Sequence, residues 1–351
     1  MKNNGVAHRL IFLAVAGISL CAGLAAGASR LGIEWGPAGQ AASLAQDHGP
    51  LMVFGFVGGA IGLERTVAVK KAWAWAGPAF HVAGVATLIG GAPRLTPAWC
   101  FAASFAVLGA IYWAIYRRQP SLAVVTQATG VIGGVGAAWL WAVTGDFATA
   151  MPLAVLYAVA TVLGERMELA RVTIAGAARE VRLTVAVLAL AAASVVFIGA
   201  PGIGYRLMGL ALVVCAALFV TADAARFLVR STGLARYSAV CMLAGYFWLA
   251  IAGVAWLAYG LGQAHDTAVH AVFLGFVMSM IFGHAPTILA GVVRAKMPFH
   301  PVLYAPVALL HCGLVVRIFA VSGQVPGAVA NIVAIILFVL TAVGLVLRGK
   351  I

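Results

Sequence analysis

The stretch "HAVFLGFVMSMIFGHAPTIL", His270 to Leu289, decides how the rest of the chain is read. It holds 20 residues and no Asp, Glu, Lys or Arg. A helix that crosses a bilayer needs about 20 mostly apolar residues. Yet a histidine opens the run and another, His284, stands fourteen residues on. Fourteen residues of helix rise about 21 Å at 1.5 Å per residue and make close to four turns. The two rings therefore share one face at opposite ends of a span, and they cannot hold one ion together.

The whole chain resembles this stretch. Of its 351 residues, 64% are hydrophobic and 9% charged, where a soluble domain carries about 25% charged residues. So little charge cannot clothe a water-facing surface, and the lipid bilayer becomes the expected partner. Apolar runs near 9–28, 48–69, 73–91, 97–116, 121–143, 151–170, 183–200, 204–226, 237–261, 267–291, 300–319 and 326–347 predict twelve spans. All are expected to be helices, because lipid leaves no partner for an exposed backbone group. The fold class expected is all-α, a polytopic membrane protein forming one transmembrane domain over 1–351. The first run could be read as a cleaved signal, but a retained span closes the topology.

With the N-terminus inside, 18 of the 22 basic residues fall on the inner side, and Arg30, Arg94, Arg206 and Arg317 fall outside. That asymmetry supports twelve spans with both termini cytoplasmic. It also removes the nucleic-acid reading of the +13 net charge, because the charge follows topology. The localisation expected is the bacterial inner membrane. Five scattered cysteines form no CxxC or CxxCH, so zinc knuckles and covalent haem attachment are unsupported, and buried free thiols are expected.

An internal repeat runs in steps of four spans. Aligning Gly55-Phe56-Val57 on Gly275-Phe276-Val277 puts Ile61 on Ile281 and Glu64 on His284. Span 6 joins through Glu165-Arg166, which matches Glu64-Arg65. Three pseudo-repeats are expected, about 1–118, 119–232 and 233–351. Spans 2 and 10 both run from outside to inside. His48 and His270 therefore lie at similar depth near the outer face, the geometry that clamps a haem iron from both sides. The plain alternative is that each ring meets water at the boundary. At the inner level, His284, Glu165 and Glu64 could hold copper or another divalent metal, or relay protons. Alternatively, Glu64-Arg65 and Glu165-Arg166-Glu168-Arg171 form ion pairs that lock helix ends. His81 and His311, near mid-membrane, are further candidates, though a histidine bonded to a backbone carbonyl costs little. Asp223 reads as a helix end paired with Arg226.

The stretches "DHGPLMVFGFVGGAIGLER", "TVLGERMELARV" and "HAVFLGFVMSMIFGHAP" resemble the NnrS family, which is similar to the catalytic subunit of haem–copper oxidases. The resemblance implies a twelve-helix fold in three groups of four, one haem b ligated by His48 and His270, and a role in nitric oxide or redox response. A small molecule such as nitric oxide, or an electron donor, is the partner it implies. The departures matter. The oxidases place a copper-binding histidine on span 6, a histidine pair at span 7 and two histidines for two haems on span 10. Here spans 6 and 7 have none, and only His270 fits on span 10. A classical oxygen reductase is therefore not expected, and whether the protein is an enzyme stays open. The rival reading is a twelve-span secondary transporter of a small solute or metal ion. The loop "IGLERTVAVKK" loosely resembles that of major-facilitator transporters, but the repeat falls every four spans, not six.

Overall fold

The structure, a computed structural model, describes residues 4–33, 45–170, 176–260, 262 and 264–349. These residues form helices and no strand. Among the described residues, twelve helices are long and apolar enough to cross a membrane. They are α1 (Asn4–Arg30), α2 (Ala45–Val69), α3 (Ala72–Ile89), α4 (Leu95–Arg118), α5 (Leu122–Thr144), α6 (Phe147–Leu169), α7 (Ala177–Gly199), α8 (Pro201–Ala222), α9 (Gly233–Tyr259), α10 (His265–Val293), α11 (Pro301–Phe319) and α12 (Gln324–Arg348). The expected all-α polytopic class is the observed one. Most of the link from Arg30 to Asp47, and Arg171 with its expected ion pair, lie outside the described residues.

The chain gathers into two compact units. The first comprises Met1–Pro120, Gly130–Ala158 and Gly291–Arg294; the second comprises Ser121–Thr129, Val159–Ala290 and Ala295–Ile351. In the first unit small residues bring helices close. Gly23 of α1 lies against Met52 of α2, and Gly84 of α3 against Phe101 of α4. Phe54 of α2 meets Phe101, Phe105, Trp141 and Phe147 with ring centroids 5.1 to 6.1 Å apart. In the second unit Gly209 of α8 and Gly253 of α9 approach backbone to backbone, as small residues allow in lipid. Tyr237, Tyr246, Trp248 and Trp256 of α9 are fully buried.

Two spans are not plain α-helices. In α2 the chain turns π-helical over Leu51–Gly58, and in α10 over Ala271–Val277. Under the alignment of Gly55 on Gly275, both π segments begin at matched residues, Leu51 and Ala271. The equated span α6 is α-helical throughout Phe147–Leu169 and carries Pro152 instead. The α2–α10 match therefore extends to the backbone and is not shared with α6.

Two expectations change here. The eighth span was expected to run to 226, but α8 ends at Ala222 and Asp223 leaves it with ψ 144°. The thiols are free, yet only Cys215 and Cys241 are buried, while Cys21 and Cys312 are exposed.

Candidate functional site

A π-helix widens the hydrogen-bond ring, and short π segments are rare and frequent at functional sites. In α2 two carbonyls of the segment are taken by other helices. Ser19 of α1 donates its hydroxyl to Leu51 O at 2.9 Å. His81 of α3 stands 2.6 Å by Nε2 from Gly55 O, so Nε2 carries the proton. The ring lies where a Cβ on Gly59 would sit. His81 is thus a buried donor that completes the π segment. In α10 the matched carbonyl, Gly275 O, is taken by Ser279 of the same helix. Gly275 also lets the Trp248 ring lie against the segment. Trp248 Nε1 donates to His311 Nδ1 at 2.9 Å, with the rings nearly parallel at 13°. That bond places the His311 proton on Nε2, which is buried without a hydrogen-bond partner among the described residues.

His48 and His270 stand just ahead of the π segments. His48 Nδ1 is 2.7 Å from Gly23 O in the first unit, and its ring covers Gly27 of α1. His270 Nδ1 is 2.8 Å from Asp266 O in the second unit. A carbonyl only accepts, so both rings carry a proton on Nδ1. The two histidines are not at matched positions, however. His48 aligns with Ala268 and His270 with Pro50, an offset of two residues. His270 has further company: Asp266 Oδ1 lies 3.1 Å from Nδ1. Arg317 of α11 holds that carboxylate, with Nη2 at 3.1 Å from Oδ1 and 3.0 Å from Oδ2.

Glu64 pairs with its neighbour Arg65 at 3.5 Å in the first unit, as the ion-pair alternative anticipated. His284 and Glu165 belong to the second unit. His284 gives its Nδ1–H to Met280 O at 2.7 Å, and its Nε2 accepts from Arg166 Nη1 at 2.9 Å. Both ring nitrogens are used, so a metal there would have to displace Arg166. Among the described residues no group of three or more His, Cys, Asp or Glu is arranged to hold a metal ion.

Arg166 itself corrects the sequence reading. Its partner is not adjacent Glu165 but Asp223, 57 residues away: Nε reaches Oδ2 at 2.9 Å and Nη2 reaches Oδ1 at 2.7 Å. Tyr246 donates its hydroxyl to Asp223 Oδ2 at 2.6 Å, and the Ala225 N–H donates to Oδ1 at 2.9 Å. Arg226, the partner expected for Asp223, instead lies over the Phe227 ring. Glu168 accepts from Gln127 Nε2 at 3.0 Å. Arg166, Asp223 and Tyr246 are 5%, 1% and 1% exposed, so this is a buried ion pair with its polar atoms hydrogen-bonded. A buried charge is tolerated on those terms. Sequence reasoning missed Tyr246 altogether, because a tyrosine in an apolar run carries no signal of its partner. Asp223 did carry one, as an acidic residue close after a long apolar run.

No curated protein matches the chain. No solved structure matches it either. The model of one family matches residues 9–347, nearly the whole chain. The protein therefore belongs to that family, described as a domain of unknown function, DUF8744.

Proposed function

We propose that the protein is a haem-binding integral membrane protein of haem–copper-oxidase-like architecture, acting in nitric oxide or redox response, with His48 and His270 as the ligands of one haem b. One observation carries the ligand assignment. Each ring has its Nδ1 bonded to a backbone carbonyl, at 2.7 Å for His48 and 2.8 Å for His270. Metal-ligating histidines habitually donate the other ring N–H to a carbonyl or carboxylate, which fixes the tautomer and orients the ligating nitrogen. His284 shares the Nδ1 bond, and its Nε2 accepts from Arg166. The donor set, two imidazoles, suits haem iron. Bound haem would supply a one-electron iron couple. The chain's own part is to present two oriented imidazoles, each beside a π segment that re-aims the start of its helix. If His48 and His270 both held the iron, the chemistry it would supply there is electron transfer with a donor protein. The nitric oxide part rests on the resemblance to the NnrS family. The 18-to-4 charge asymmetry supports a bacterial inner membrane setting with cytoplasmic termini.

The test is an absorption spectrum of protein purified from haem-replete cells, oxidised and reduced. A sharp visible band of the reduced haem should be present in wild type and absent in His48→Ala and His270→Ala. A colourless, folded wild type overturns the reading.

A second reading draws on the buried Arg166–Asp223–Tyr246–His284 network, which haem binding does not use. Ionisable residues inside membrane spans commonly mark solute or proton pathways. A protein that stays colourless but moves a small solute or metal ion across reconstituted vesicles, and loses this in Arg166→Ala, would be a secondary transporter.

A further inference from the structure

His48 and His270 share the carbonyl bond, and at His270 the structure places a carboxylate and a guanidinium beside the ring. Asp266 Oδ1 stands 3.1 Å from His270 Nδ1. Arg317 Nη2 reaches both oxygens of that carboxylate, at 3.1 and 3.0 Å. It also comes within 3.4 Å of His270 Nδ1. Nδ1 carries a proton for its two acceptors, so the guanidinium beside it is a neighbouring cation rather than a bonded partner. Asp266 and His270 sit four residues apart, one turn of α10, while Arg317 comes from α11. The Arg317 side chain is 7% exposed and the His270 side chain 19%. The Asp266 side chain is 51% exposed, so a carboxylate that reaches solvent is gripped by a ring and a guanidinium that are largely covered.

From this geometry we infer that Asp266 and Arg317 are opposed positioning residues for His270: the carboxylate makes its Nε2 a stronger donor, and the guanidinium limits how far. The inference rests on the haem reading. A carboxylate accepting from Nδ1–H pushes electron density through the ring and raises the basicity of the ligating nitrogen. A stronger donor favours ferric over ferrous iron, so the midpoint potential falls. Arg317 draws the same carboxylate charge toward itself and works the other way. A merely structural cluster would not produce effects of opposite sign.

The experiment is a redox titration of full-length, haem-loaded protein in detergent, followed by its absorption bands. Asp266→Asn keeps the side-chain shape and removes the charge, and the potential should rise. Arg317→Gln releases the carboxylate, and the potential should fall. Both variants should keep the wild-type absorption spectrum. Shifts of the same sign in both, or no shift in either, overturn the inference while leaving the haem reading in place. If Asp266→Asn loses its haem, Asp266→Glu must retain it at a potential closer to wild type than to Arg317→Gln, and failure to do so overturns the inference. A wild type that takes up no haem, even with added haemin, removes the haem reading and this inference with it.

Discussion

In α2 the carbonyl of Gly55 is answered from another helix, by His81 of α3. In α10 the carbonyl at the aligned position, Gly275, is answered from within, by Ser279 one turn on. The same split appears nine residues further along each helix. Glu64 of α2 pairs with its own neighbour, Arg65, at 3.5 Å. His284 of α10 takes Arg166 of α6 at 2.9 Å, and through it Asp223 and Tyr246. At these two levels each helix shows one bond made within itself and one made to another helix, in opposite order along its length. What the two share is the backbone deformation, begun at matched residues. The side chains that sustain it differ. A repeat can keep a distortion of the chain after its supporting contacts have been exchanged.

The sharpest way to break this comparison is at the Glu64/His284 level. Arg166→Ala strands the Asp223 carboxylate in a buried site, and removing one partner of a buried ion pair costs about 3–5 kcal/mol. Glu64→Gln removes an ion pair at the partly exposed helix end, expected to cost roughly 0–1 kcal/mol. Thermal unfolding in detergent should show a large fall for the first and little change for the second; equal falls would dissolve the contrast.

The π segments themselves come next. A Cβ on Gly275 would meet Cβ and Cγ at the root of the Trp248 side chain, whereas on Gly55 it would meet Oγ and Cβ of the small Ser19. Gly275→Ala should cost about 1–3 kcal/mol through overpacking, and Gly55→Ala less, because the Ser19 hydroxyl can turn aside. The reverse order would show that α1 is held more rigidly against α2 than α9 is against α10.

The two answering side chains give a finer test. His81→Phe leaves Gly55 O buried and unanswered, at about 1–3 kcal/mol. Ser279→Ala should cost less, since a hydroxyl bonded to the carbonyl four residues back contributes little to a helix. Amide hydrogen exchange over 51–58 and 271–277 would localise each loss, and protection should fall further in α2.

Much of this was legible in the sequence, and the reasons differ by level. The spans follow from apolar length, which a bilayer imposes directly. The α2–α10 match was visible as Gly-Phe-Val at 55–57 and 275–277, and those triplets fall inside the π segments. The π geometry was not legible, because "LMVFGFVG" is apolar on every face and has no period to betray a widened turn. The partner of Arg166 was hidden for another reason. Chain adjacency favoured Glu165, while packing brought in Asp223 from 57 residues away. His81 was open between site and strut, and only its contact with Gly55 O resolves it as the latter.

The paired π segments also set the angular phase of the two helices. A hydrogen bond that closes on the fifth residue rather than the fourth holds one extra residue, and each residue of helix turns the chain by about 100°. Everything ahead of the segment is dialled round against everything behind it. His48 and His270 sit on the dialled side; Glu64 and His284 sit on the other. Deleting a single residue from 51–58 or from 271–277 would let the helix close as a regular α-helix. The histidine would then swing to a new face while the far half of the span stayed in place.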